Sequence, residues 1–197
     1  MTDTTRAADT SKPLIVGIGG TTRTGSSTDR ALRVALEAAQ EAGARTFVFD
    51  GAFLSRLPHF APENSERNEE QRQLVEMVRK ADGLIVASPG YHGGVSGLVK
   101  NALDLLEDLR DDERCYLDGR AVGCIVNAAG WQACGSTLAA LRSIVHALRG
   151  WPTPFGATLN TAEKPFDAEG TCKDEKVARQ LGTVGRQVVE FAQKYRR

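Results

Sequence analysis

Apolar strand-like runs alternate with stretches of helical periodicity along the chain, and that alternation leaves room for few folds. LIVGIG at 14–19 is followed by Leu32, Ala35, Leu36 and Ala39 on one helical face, which closes at Gly43. TFVFD at 46–50 leads through a Pro-containing loop to a charged helix expected over 69–80, with Leu74, Met77 and Val78 on its apolar side. A third run at 84–87 feeds a helix carrying Leu98, Ala102, Leu105 and Leu109. AVGCIVNA at 121–128 precedes a helix expected from about Ser136 to Leu148, and a shorter strand around 153–159 precedes a last helix from about Asp174 to Tyr195. Five such units predict an α/β protein built on a doubly wound, five-stranded parallel sheet. Right-handed crossovers favour the strand order 2-1-3-4-5, which places a ligand crevice where strands 1 and 3 diverge at their carboxyl ends.

The segment after the third strand fits a binding loop at that edge. Leu84, Ile85, Val86 and Ala87 suit a strand buried on both faces. Pro89 lacks an N–H and is expected to end the ladder, while Gly90, Gly93 and Gly94 let the backbone turn sharply and approach a ligand.

The loop after strand 1, GIGGTTRTGSSTDR at 17–30, is the natural partner of that segment. Thr21, Thr22, Thr24, Ser26, Ser27 and Thr28 offer hydroxyls, Gly19, Gly20 and Gly25 let amides curl round an anion, and a helix starting at about Ser26 or Ser27 adds unpaired N–H groups. Hydrogen bonds to a charged group contribute about 1.5–3 kcal/mol each, against about 0.3–1 kcal/mol for the helix dipole, so hydroxyls and amides dominate, with Arg23 as a charge partner. GTTRTGSS has the glycine spacing of a Walker A loop, but Ser26 stands where the lysine belongs. GIGGTT does not complete the GxGxxG pattern of a dinucleotide site. A terminal monophosphate fits best; the plainer alternative is that Ser26 or Ser27 merely caps the helix.

Composition narrows the classes. The 197 residues suit one domain, expected over 13–197 behind a polar, flexible tail at 1–12. Lys plus Arg and Asp plus Glu balance at 25 each, which gives no nucleic-acid footprint. Cys115, Cys124, Cys134 and Cys172 form no CxxC pair or zinc spacing and read as reduced thiols of a cytoplasmic protein, with no metal site. No run is long and apolar enough to predict a membrane span.

Together the two loops resemble those of the NAD(P)H-dependent FMN reductase family, which has the flavodoxin-like fold. Gly20, Thr21, Arg23, Ser26 and Thr28 match its first motif; Pro89, Tyr91, Gly93, Gly97, Lys100, Asn101 and Asp104 match its second, more specific one, with His92, Gly94 and Ser96 as departures. The resemblance implies an FMN site in which Thr21, Arg23, Ser26, Ser27 and Thr28 hold the phosphate. Pro89, Gly90, Tyr91, His92, Gly93 and Gly94 would lie along the isoalloxazine, and Ala129 and Gly130 of the third loop, 127–135, would approach it from strand 4. It further implies hydride transfer from NADPH or NADH to FMN and on to free flavin, a quinone or another small aromatic acceptor. A homodimer or homotetramer is implied too, with loops 51–67 and 109–119 shaping the pocket.

No catalytic nucleophile or base is required of the protein, because hydride chemistry is carried by the cofactors. Trp131 covers the flavin, lines a subunit contact or simply packs. His92 bonds the flavin or its own backbone. Lys100, Asn101 and Asp104 read as a cap or a solvated face, while His59 and His146 lack metal-ligand companions. The alternative is a flavodoxin-like electron carrier without enzymatic activity, a class that tends to be acidic; a receiver-like signalling module would need an acidic cluster and an Asp where Ser88 and Pro89 stand.

Overall fold

A computed structural model describes residues 11–195, so the first ten residues of the expected tail lie outside the described part. The elements follow in order as β1 (Leu14–Gly19), α1 (Ser27–Glu41), β2 (Arg45–Phe49), α2 (Gly51–Leu54), α3 (Glu69–Lys80), β3 (Gly83–Tyr91), β4 (Gly94–Val95) and α4 (Gly97–Asp104). They continue as β5 (Ala121–Ala128), α5 (Trp131–Ala147), β6 (Trp151–Pro152), β7 (Ala157–Asn160) and α6 (Glu175–Tyr195). The parallel path is β2-β1-β3-β5-β6, with β7 also parallel to β5 and β4 antiparallel to β3. This is the expected 2-1-3-4-5 order of a flavodoxin-like sheet. The fourth predicted strand is β5, and the fifth position is shared by β6 and β7.

Side-chain alternation explains why helices cover both faces. Ile15, Ile85 and Ile125 point into one buried cluster with Leu32, Val184 and Val188 of α1 and α6. Val16, Leu84 and Val86 point into the other with Leu74, Val99 and Leu141 of α3, α4 and α5. Adjacent residues of one strand thus enter opposite cores, and both faces become dry.

Three expectations need correction. The β3 ladder does not end at Pro89, which pairs with Asn127 of β5, and the strand runs on to Tyr91. Pairing with β1 stops at Ala87, so beyond it β3 is an edge on that side, where a missing N–H is tolerated. Helix α5 begins at Trp131 rather than near Ser136, with Gly130 at φ 112° as its N-cap. The expected strand around 153–159 is broken between Pro152 and Ala157, because Pro152 and Pro154 supply no N–H to a continuous ladder.

The loop at 109–119 is also placed differently: it lies at the amino edge of the sheet. Leu117 N–H donates to Leu148 O at 3.0 Å. The buried Arg120 guanidinium donates to Ala81 O at 2.9 Å, Arg79 O at 2.7 Å and Tyr116 O at 3.0 Å. Burial lowers the Arg120 pKa to about 10. A chain returning from α4 to the start of β5 must arrive at this edge, opposite the carboxyl ends of the strands.

Candidate functional site

Three loops meet at the carboxyl edge around a cavity of about 400 Å³. The first loop gives it Thr21, Thr22, Arg23, Ser26, Ser27 and Thr28; β3 gives Pro89, Gly90 and Tyr91; the end of β5 and the turn after it give Asn127, Ala128 and Ala129. Thr161, just beyond β7, completes the lining. Of these residues Arg23 alone carries a charge.

The first loop is shaped by its own hydroxyls. Ser26 Oγ accepts from Asp29 N–H at 3.2 Å and so caps α1, as the plainer reading expected, while the residue also lines the cavity. Thr21 Oγ1 accepts from Arg23 N–H at 3.2 Å and donates to Arg23 O at 3.3 Å, which fixes a tight turn. Behind the loop, Arg33 bridges Asp29 at 3.0 Å and Asp50 at 3.5 Å, and its hydrogen bond to Asp29 raises its pKa. Gly51 supports the loop from below. A Cβ there would stand 1.9 Å from Thr21 O, so no other residue fits without moving the loop.

The second loop is the hairpin from β3 to β4. Ser88 Oγ, fully buried, accepts from Ser96 N–H at 3.0 Å and donates to Pro89 O at 2.8 Å, joining the hairpin's two arms. His92 and Gly93, at φ 52° and 80°, form the exposed turn, and Gly94 opens β4 opposite Tyr91; all three lie beyond the residues that line the cavity. Gly90 faces inward, where a Cβ would lie 2.8 Å from Thr137 Oγ1 and 3.0 Å from Ala128 Cβ. Asn101 tethers the 51–67 loop to α4: its Oδ1 accepts from Phe60 N–H at 2.8 Å and its Nδ2 donates to Pro58 O at 3.0 Å. Lys100 pairs with Asp104 at 2.6 Å on the outer face.

In the third region Gly130 N–H donates to Asn160 Oδ1 at 3.0 Å, tying the start of α5 to the end of β7. Trp131 is 55% exposed on the first turn of α5, which counts against a packing role. Cys134 lies inside that helix, 1% exposed, and burial pushes its thiol pKa up; Cys124 is pushed to about 12. Neither is a ready thiolate. Among the described residues no group of three or more His, Cys, Asp or Glu side chains is placed to hold a metal ion.

Asn127, expected only as the first residue of the third loop and with no contact of its own, has a larger place in the structure. It is 2% exposed, lines the cavity, and neither its Oδ1 nor its Nδ2 has a hydrogen-bond partner among the described residues; the same holds for Thr137 Oγ1 beside Gly90. Buried polar atoms are rarely left so, and an unsatisfied one costs about 1–3 kcal/mol. The signal available in sequence was only a polar residue closing an apolar strand.

The sequence profile of the NADPH-dependent FMN reductases matches residues 13–163. An iron-sulfur flavoprotein of Archaeoglobus fulgidus is 27% identical over 193 residues, covering 92% of this chain and 98% of that protein. An FMN-dependent NADPH-azoreductase of Staphylococcus aureus is 32% identical over 110 residues, 56% of this chain and 55% of the azoreductase. Among solved structures, an oxidoreductase from Corynebacterium diphtheriae superposes with a TM-score of 0.74 at 18% identity, over 93% of this chain and 98% of that one. FerB, an NAD(P)H:acceptor flavoenzyme of Paracoccus denitrificans, superposes with a TM-score of 0.73 at 19% identity, over the same shares.

Proposed function

The chain belongs to the NADPH-dependent FMN reductase family and is a flavin oxidoreductase of FMN and NAD(P)H, and from that premise we propose that the three-loop cavity is its FMN site. There the enzyme would reduce flavin with NADPH or NADH and pass the electrons to free flavin, a quinone or another small aromatic acceptor.

The unpaired carboxamide of Asn127 carries this reading. It is buried at the level of Pro89, where a flat heteroaromatic ring with alternating donors and acceptors would find both an N–H and a C=O to bond. Thr21, Arg23, Ser26, Ser27 and Thr28 would hold the phosphate: hydroxyls and free helix-start amides, with one cation and no carboxylate in the lining, suit a dianionic monophosphate. Pro89, Gly90, Tyr91, Asn127 and Ala129 would hold the ring. His92, Gly93, Gly94 and Gly130 would stand at the rim and set the backbone angles of the two turns.

FMN, when bound, supplies the two-electron chemistry. The protein's part is to orient and to exclude water. Ser88 holds the two arms of the hairpin together, and Gly90 lets its backbone come close to Ala128 and Thr137. No side chain in the lining forms an acid–base pair, so no residue is assigned a proton-transfer role. Tyr91 at the cavity and Trp131 on the first turn of α5 are both more than half exposed, and a second copy of the chain would cover them in a homo-oligomer.

The phosphate assignment is tested by Arg23→Ala combined with Ser27→Ala, which leaves the Ser26 cap intact. FMN should bind about tenfold more weakly or worse while riboflavin affinity stays the same. Unchanged FMN affinity, with riboflavin binding as tightly as FMN, would contradict it.

A further inference from the structure

A second cavity, of about 480 Å³, adjoins the first and shares Arg23, Ser27 and Thr161 with it. Its other walls come from Thr24 and Gly25 of the first loop, from Arg30 of α1 and from the segment after β7. Three cations converge on it from separate elements: Arg23 of the first loop, Arg30 of α1 and Lys164. Arg30 is spent on backbone, donating to Asp167 O at 2.6 Å and Ala168 O at 3.2 Å, so its charge is matched by no carboxylate. Arg23 and Lys164 make no ion pair with any described residue. The one carboxylate of the lining, Asp167, is already paired with Lys173 at 3.0 Å. Beside these charges Pro165 and the half-buried Phe166 line the cavity, Phe166 also packing on the core under α1 and α6.

Excess positive charge with a flat apolar wall suits a nucleoside phosphate: an Arg and a Lys for the phosphate oxygens, an aromatic face for the base. Its position beside the first cavity suits a ligand whose other end reaches that cavity. We propose that the second cavity receives the adenosine-phosphate end of the hydride donor, an inference that rests on the first cavity being the flavin site.

Titration calorimetry on the FMN-loaded protein tests it, with adenosine 2′,5′-bisphosphate, ADP and inorganic phosphate as probes, in the wild type and in Lys164→Gln and Lys164→Glu. Lys164 lies outside the flavin cavity, so FMN affinity and kcat should hold. Nucleotide binding should weaken about tenfold in Lys164→Glu and less in Lys164→Gln, with the NADPH KM rising in step. Loss confined to the bisphosphate, with the NADH KM unmoved, supports the proposal and assigns the 2′-phosphate to the site. Parallel loss for ADP and a matching rise in the NADH KM supports it and assigns the pyrophosphate. The proposal is overturned if neither nucleotide binds, if inorganic phosphate binds as tightly as either, or if both variants bind nucleotide like the wild type. The same titration on flavin-free protein separates the two readings: bisphosphate binding without any FMN binding would refute the flavin site and leave the nucleotide pocket standing.

Discussion

Asn127 is the one polar side chain near the end of an otherwise apolar strand, and under the proposed function its cost to the flavin-free protein and its value to an FMN site have opposite signs. Replacing it by Leu removes two unsatisfied buried atoms, so the flavin-free protein should melt no lower than the wild type, and higher if the new side chain packs. FMN should bind about tenfold more weakly. A lower melting temperature with unchanged FMN affinity would show that Asn127 is structural only. This residue was hidden in the sequence because a lone Asn before Ala-Ala-Gly carries no motif; only the pairing with Pro89 places it among the loops. The hydroxyls of 21–28 stand out in the sequence by their density, and two of them have structural work, Ser26 capping α1 and Thr21 fixing the turn. Sequence could not say, however, that Ser26 would cap α1 and line the cavity at once.

At the scale of elements, apolar periodicity makes the strands and α3 readable, and the structure departs from it at glycine and proline. Gly135, expected in a loop, sits inside α5 with open space around it, and the helix begins at Trp131 behind the Gly130 cap. Pro89, expected to stop its strand, is accepted because β3 has become an edge on the β1 side there. The loop–strand contact at Gly51 makes a direct prediction. Gly51→Ala forces Thr21 away and should destabilise the protein by about 1–3 kcal/mol while weakening FMN, as thermal melts and flavin titration would measure. Wild-type behaviour in both would contradict the close contact.

The turn after β7 predicts a pH effect. Asp167 accepts from Thr171 N–H at 2.7 Å and pairs with Lys173, whose hydrogen bond leads in holding its pKa below the ordinary 3.8. A depressed carboxylate stabilises the fold above its unfolded value, and that contribution fades as pH falls through the lower folded value. Amide protection at Thr171, corrected for intrinsic exchange, should therefore drop below pH 3.8 in the wild type and lose that acid dependence in Asp167→Asn. Equal acid dependence in both would refute it.

On the scale of the whole molecule, the parallel sheet divides labour between its two edges. The amino edge is locked by Arg120, whose guanidinium serves three backbone carbonyls, and the expectation that loop 109–119 reaches the pocket fails for that reason. All three loops of the candidate site gather at the carboxyl edge because the 2-1-3-4-5 order brings the ends of β1, β3 and β5 side by side. Topology thus makes the position of the three-loop cavity legible from the alternation of elements alone, whereas the second, basic cavity is not: it depends on the 161–168 segment folding back over α1, which no periodicity announces. The central claim is that this arrangement binds FMN and reduces it with a nicotinamide donor. Its most direct test is the visible spectrum of the purified protein with FMN under anaerobic conditions, before and after addition of NADPH or NADH. The account predicts retained flavin absorbance that bleaches with at least one donor and returns when a quinone is added. Failure to retain FMN, or retained FMN that neither donor bleaches, would contradict it.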